Sequence, residues 1–318
     1  MQRYLFVHFR ETTSPEGEQV YFSLSRDAFT WEALNNGQPI LWAYYGDHGV
    51  RDMTAVRDKR TGGVHIFATD LSLSYGMRGK YAHSWKNITT HGSKDLAHWY
   101  SDDLIHWSEE ELIRVGQEDF GCVWAPDVLY DPGTGDYILH WSSSHARDGY
   151  RRMAIWYSRT KDFASWTEPK ILYQKADAGV IDSAMYEENG RYYLFVKSDH
   201  APSRVILLTS AHATGPFERH LAFDESMEGI AEGLYEAPTA VRTEDGKWCL
   251  FLDYYGARGA GQGYVPFVSE SLEEGRFVRS DNRFSFPFGF KHGPILPITE
   301  EEYDRMKARD WSMMPDGR

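Results

Sequence analysis

Cysteine is nearly absent: only Cys122 and Cys249 occur in 318 residues. That is too few for a disulfide framework, so two buried free thiols are expected. No apolar stretch approaches the roughly 18 residues that a membrane-crossing helix needs. Positive charge is in deficit, with 34 Lys and Arg against 47 Asp and Glu and a formal net charge of -13. This argues against a nucleic-acid backbone or an anionic membrane surface as partner, since both reward Lys and Arg, and favours a neutral ligand. No Pro/Gly/Ser-rich linker or block of like charge divides the chain, and one domain over 1–318 is expected. The N-terminal MQRYLFVHFR has a short apolar run containing a histidine and no small-residue cleavage site after it. A cytoplasmic chain is therefore expected, or a secreted or periplasmic one if a leader was removed.

What the chain does contain is a repeat. In GVIDSAMYEENGRYYLFVKS, from Gly179 to Ser198, a carboxylate heads a short apolar run, Asn189-Gly190 makes a tight turn, and an aromatic-rich strand returns. Acidic heads recur at Asp52, Asp127, Asp182 and Glu236, with KHGPILPI around His292 as a fifth, non-acidic version. Returning strands begin at Gly62, Gly135, Gly190 and Gly246. Tails, a serine followed by an aromatic, are Ser25/Trp31, Ser101/Trp107, Ser158/Trp166, Ser210/Phe217 and Ser269/Phe277. The first tail precedes the first head, and the last head has no tail after it. A ring of four-stranded blades satisfies that phase: an all-β, five-bladed β-propeller closed by pairing of the N- and C-terminal strands, Arg3–Phe9 lying beside the strand near Ile295. Thr299 with Glu302 makes a capping box, and Tyr303, Met306 and Trp311 recur at helical spacing, which predicts a short C-terminal helix.

Asp52, Asp182 and Glu236 each open an innermost strand and are expected around the central depression on one face. A single carboxylate at a strand start ordinarily binds backbone amides. Three at one phase point instead to paired acid and base chemistry, with mutual repulsion and burial raising at least one pKa. Loops joining second and third strands collect on the same face and bring His145, Arg147 and Arg151, then Asp199 and His200, then Tyr255 and Arg258. The long insertion from Leu71 to Asp95 carries Tyr75, Tyr81, His83, Trp85 and His91, and reads equally as a lid over a ligand or as a satellite hydrophobic cluster.

Through GVRD (Gly49–Asp52), VWAPDV (Val123–Val128), GVID (Gly179–Asp182), YEAP (Tyr235–Pro238) and KHG (Lys291–Gly293), most of the chain resembles the five-bladed propellers of glycoside hydrolase family 43, the arabinofuranosidase, xylosidase and arabinanase group. The resemblance implies a glycosidase acting with inversion on a terminal arabinofuranoside, xyloside or galactofuranoside of an oligosaccharide. Asp52 would be the general base, Glu236 the general acid, and Asp182 the residue that tunes and orients the acid. Trp85, Trp124, Asp127, His145, Arg147, His200, Tyr255 and Arg258 are the substrate-binding candidates. No cofactor is required. Some members hold a calcium ion in the central channel through water, which makes His292 a candidate there; a satisfied core histidine is the other reading. Met53 and Ser183 stand where the family commonly has proline after the aspartates, and Ala237 where it has glycine. Two other functions remain open, a non-catalytic carbohydrate-binding propeller and a related phosphorylase.

Overall fold

The computed structural model describes residues 1–10, 14–198, 205–228, 234–255, 263–286 and 289–312. Three strands open the chain: β1 (Gln2–His8), β2 (Tyr21–Ser25) and β3 (Trp31–Ala33). Four complete blades follow. The first holds β4 (Val50–Arg57), β5 (Val64–Asp70), β6 (Asp95–Ser101) and β7 (Glu111–Arg114), and the second β8 (Trp124–Asp131), β9 (Asp136–Ser143), β10 (Ala154–Thr160) and β11 (Lys170–Tyr173). The third is β12 (Val180–Glu188), β13 (Arg191–Ser198), β14 (Val205–Ser210) and β15 (Glu218–Arg219). The fourth is β16 (Tyr235–Arg242), β17 (Trp248–Tyr254), β18 (Gly263–Ser269) and β19 (Val278–Arg279). The last strand, β20 (Ile295–Thr299), pairs antiparallel with β1, with Phe6 opposite Ile295 and Gln2 opposite Thr299.

The fifth sheet therefore runs β20-β1-β2-β3, and both ends of the chain close the five-bladed propeller. Gly293 permits the closure, because a Cβ there would overlap the carbonyl of Val7. Second strands read as unbroken apolar runs since they are covered on both faces. Every residue of β5 is buried, and Phe67 of the first blade packs with Val128, Leu139 and Trp141 of the second.

Third-strand ends carry a repeated turn. Ser25, Ser101 and Thr160 each accept a hydrogen bond at the hydroxyl from the amide three residues on, at 2.9, 2.8 and 2.9 Å. The second-blade tail thus begins at Thr160 rather than at Ser158, which lies buried within β10. Counted from Thr160, Trp166 falls at the spacing seen in Ser25/Trp31 and Ser101/Trp107.

Two short helices carry no clear sequence signal, α1 (Trp85–His91) in the long insertion and α2 (Leu221–Glu228) ahead of the fourth blade. The C-terminal helix α3 (Glu300–Ala308) starts on the expected capping box. The Glu302 amide donates to Thr299 Oγ1 at 3.1 Å and the Thr299 amide to Glu302 Oε2 at 2.8 Å. Tyr303 and Met306 are buried beside Leu296 and Ile298. Both cysteines are buried and free.

Candidate active site at the mouth of the ring

Four inner strands begin with the same break. Asp52, Ala125, Asp182 and Ala237 have left-handed φ angles of 47, 46, 50 and 47°. At each of them the ladder to the returning strand slips. Such bulges re-aim a strand start, here toward the ring axis. They also correct the phase read from the sequence. Asp52 and Asp182 are equivalent, but Glu236 precedes its bulge by one residue and Asp127 follows its bulge by two. At Ala237 the family's usual glycine would hold the left-handed conformation without a Cβ penalty. Ala237→Gly is expected to raise stability by about 0.5–1 kcal/mol, a net of relieved strain over added chain entropy, readable as a higher Tm.

One position of each returning strand reaches the head of the next blade. Phe9, just past β1, lies 4.7 Å from the Arg51 guanidinium. Thr69 Oγ1 accepts from the Ala125 amide at 2.8 Å and Ser142 Oγ from the Asp182 amide at 3.0 Å. Lys197 donates to Glu236 Oε2 at 2.6 Å, and Asp253 accepts from His292 Nδ1 at 2.7 Å. The last two clasps carry charge, and they build the centre of the mouth.

His292 is bound on both sides, since its Nε2 meets Asp52 Oδ1 at 2.5 Å. Burial opposes a charge on this ring, but Asp253 and Asp52 outweigh it and raise its pKa to about 10. The resulting imidazolium, with Arg51 and Lys291, holds Asp52 below the usual carboxylate range despite burial. Asp253 is driven down to about 2, burial being overcome by His292 and by Lys291, whose Nζ lies 2.6 Å away. Asp182 is the exception. Its carboxyl has no hydrogen-bond partner among the described residues; burial pushes it up, Lys197 pulls it back, and Glu236 and Asp52 push it further, to about 7.

The channel below these groups has a volume of about 160 Å³ and is lined by Asp52, Asp127, Asp182, Tyr186, Tyr264 and His292 among others. The group of potential ligand atoms found around His292 among the described residues does not fit a calcium ion. Glu236, Asp253 and His292 present ligand atoms within 4.8 Å of one another. Lys291 Nζ, however, lies 2.6 Å from Asp253 and 3.6 Å from Glu236, placing a cation there already. Both ring nitrogens of His292 are committed to carboxylates, which leaves none for a metal or its water.

The substrate-binding candidates divide. Asp127 is a tie between blades: its oxygens accept from Thr54 Oγ1 at 3.0 Å and the Met185 amide at 2.8 Å, with His140 Nε2 3.2 Å away. Trp124, one residue ahead of its bulge, meets Trp85 edge-on with ring centroids 6.2 Å apart. The insertion forms the satellite cluster. Leu71, Tyr81 and Ile88 pack together under Trp124, while Trp85 and Tyr75 stay 54% and 53% exposed. Tyr255 lies 4.5 Å from Lys197 Nζ, beside Glu236. His145 and Arg147 flank a separate cavity on this face. His200 and Arg258 lie outside the described residues.

Sequence reasoning missed Lys197, Asp253 and Lys291. The first two had a signal, being the charged residues at one and the same position of otherwise apolar returning strands, where Thr69 and Ser142 stand in the other two.

Comparison with known proteins agrees with this architecture. The family described as a probable glycosyl hydrolase domain, related to glycosyl hydrolase family 43, matches residues 1–304. An alpha-L-arabinofuranosidase of Bifidobacterium longum is 26% identical over 209 residues, covering 59% of this chain and 19% of that protein. The chain thus spans about a fifth of the length of this curated relative. Among solved structures, an endo-1,4-beta-xylanase from Bacteroides thetaiotaomicron has a TM-score of 0.59 at 14% identity, covering 87% of this chain and 93% of that one. A xylan beta-1,4-xylosidase from Bacillus halodurans has a TM-score of 0.58 at 16% identity, covering 88% and 53%. At such identities these structures support the fold alone.

Proposed function

Because the chain belongs to the glycosyl hydrolase 43-related family, we propose that it hydrolyses the bond to a terminal pentose or furanose residue, an arabinofuranoside, xyloside or galactofuranoside, with inversion at the anomeric carbon. The observation that carries this reading is the meeting of Asp52, Asp182 and Glu236 at one mouth with differentiated environments, one carboxyl held ionised and another pushed up to about 7. Hydrolysis needs that division.

Asp52 is the base. His292 takes Oδ1, and the second oxygen takes a proton from water as that water attacks the anomeric carbon. Proton delivery falls to Glu236, which shares one proton with the coupled carboxyl of Asp182, a proton the pair keeps up to about pH 7. The proton passes to the leaving oxygen as the glycosidic bond breaks, and Lys197 remains as counter-ion to the carboxylate left behind. His292 is a positioning residue. Replacing it by Gln removes the imidazolium that keeps Asp52 below the usual range, so the acid limb of the kcat/KM profile is expected to move to higher pH. An unmoved limb would show that His292 does not set the base.

A panel of aryl arabinofuranosides, xylosides and galactofuranosides, followed by proton NMR, tests the proposal as a whole. Inversion is expected of the first-formed sugar. Retention would make Asp52 a nucleophile, and binding of the panel without cleavage would leave a carbohydrate-binding propeller.

A further inference from the structure

Among the described residues only four aromatic side chains are exposed, Tyr44, Tyr45, Tyr75 and Trp85. All four lie on two segments, the connection from β3 to β4 and the insertion between β5 and β6. The exposed aliphatic side chains, Met1, Leu112, Leu221 and Val278, are on neither. The remaining described aromatic rings are buried or half-buried, so this concentration marks an interaction surface.

The two segments touch, and both are anchored beside Asp52. Val50 and Asp70, where they join the first blade, are cross-strand partners, and Val50 stands two residues ahead of Asp52. The Leu71 amide donates to the Gly49 carbonyl at 3.1 Å. Beyond that seam the His48 ring meets Tyr75 edge-on, with centroids 6.1 Å apart. The His48 amide donates to the Tyr45 carbonyl at 3.0 Å, in the turn that presents both side chains. Tyr45, His48 and Tyr75 thus belong to one surface, with Tyr44 next to them in the chain.

Buried carboxylates fix the backbone under these rings. Glu110 accepts from the Tyr44 and Tyr45 amides at 2.5 and 3.1 Å, and Asp70 from the Asp47 amide at 2.7 Å. Asp47 in turn takes the Tyr81 hydroxyl at 2.7 Å and Lys80 Nζ at 2.8 Å, both from the insertion. Glu18 accepts from Ser72 Oγ and from the Leu73 and Ser74 amides at 2.7, 2.8 and 3.0 Å, just ahead of Tyr75. Exposed rings on a pinned backbone are preorganised, and a ligand that stacks on them meets little ordering cost.

We propose that Tyr44, Tyr45 and Tyr75 form a stacking platform for a neutral polysaccharide, the chain that carries the residue cleaved at the mouth. Sugar rings offer apolar C–H faces edged by hydroxyls, which match an aromatic face with a hydroxyl at its rim. Continuity with the mouth selects a glycan as the occupant, and a formal charge of -13 disfavours an anionic one. The choice of occupant rests on the glycosidase reading, but the binding needs no turnover.

Affinity gel electrophoresis with soluble arabinoxylan, linear arabinan or galactan cast in the gel tests it, on Asp52→Asn so that nothing is cleaved. At least one polysaccharide is expected to retard the protein, to an extent that salt does not change. Added singly, Tyr45→Ala and Tyr75→Ala should each weaken binding about 10-fold, the scale of a truncated interface aromatic. Tyr75→Phe should keep it, and an unchanged Tm shows that the alanine variants are folded. With Asp52 in place, Tyr75→Ala should lower kcat/KM for the polysaccharide about 10-fold and leave aryl glycosides unaffected. Retardation of a protein that cleaves no glycoside would sink the hydrolase reading and leave the platform standing. No retardation by any of the three polysaccharides, or equal retardation of the alanine variants, would overturn the proposal. So would the same tyrosine dependence appearing instead in flotation with phosphatidylglycerol vesicles or in self-association by sedimentation.

Discussion

Asp52→Asn is expected to lower kcat about 10²–10⁴-fold, and to do so for natural glycosides and activated aryl glycosides alike. The amide cannot take a proton from the attacking water, and a better leaving group does nothing for water activation. His292 adds a second signature. In the variant, Nε2 of the imidazolium loses its anionic partner while Nδ1 keeps Asp253. The histidine, raised to about 10 in part by Asp52, should therefore titrate lower, and NMR of the ring carbons would follow it. An Asp52→Asn enzyme with full activity would remove Asp52 from the reaction.

Glu236→Gln is expected to behave differently. Glycosides with poor leaving groups should slow by about 10²–10⁴-fold, whereas aryl glycosides whose phenolate leaves unaided should be largely spared. Asp182→Asn provides the complementary test. The alkaline limb of the pH profile is read here as loss of the proton from Asp182, whose carboxyl is pushed up to about 7, so activity falls as pH rises through that value. The Asn variant should be slower and should lack that limb. If leaving-group dependence followed Asp182→Asn and not Glu236→Gln, Asp182 itself would be the donor.

The ring was legible in the sequence because a propeller repeats its turn chemistry and its apolar second strand in every blade, and because the incomplete repeats at the two ends complement each other. The carboxylates were legible too, but not their phase. Glu236 and Asp127 stand within two residues of a bulge, and a left-handed residue leaves no mark when it is Ala125 or Ala237 rather than glycine. Lys197 and Asp253 escaped notice because a charged residue near a strand end ordinarily reads as solvated. The helices α1 and α2 are too short to declare themselves by periodicity. Seven residues form α1 because Ser84 caps it and Ile88 is buried, which are tertiary causes.

Closure of the ring by β1 and β20 also fixes how it answers to force. Gln2 and Thr299 are partners at the same end of an antiparallel pair, so tension applied through those two residues would act across the ladder and not along it. Antiparallel bonds lie perpendicular to their strands and would open one after another, starting from that end, without sharing the load. Before this, α3 would have to leave its seat, where Tyr303 and Met306 are buried. A tether at these positions therefore addresses a zip fastener, and the first sheet to open would be the closing one, whose β20 abuts β16 of the blade that carries Glu236.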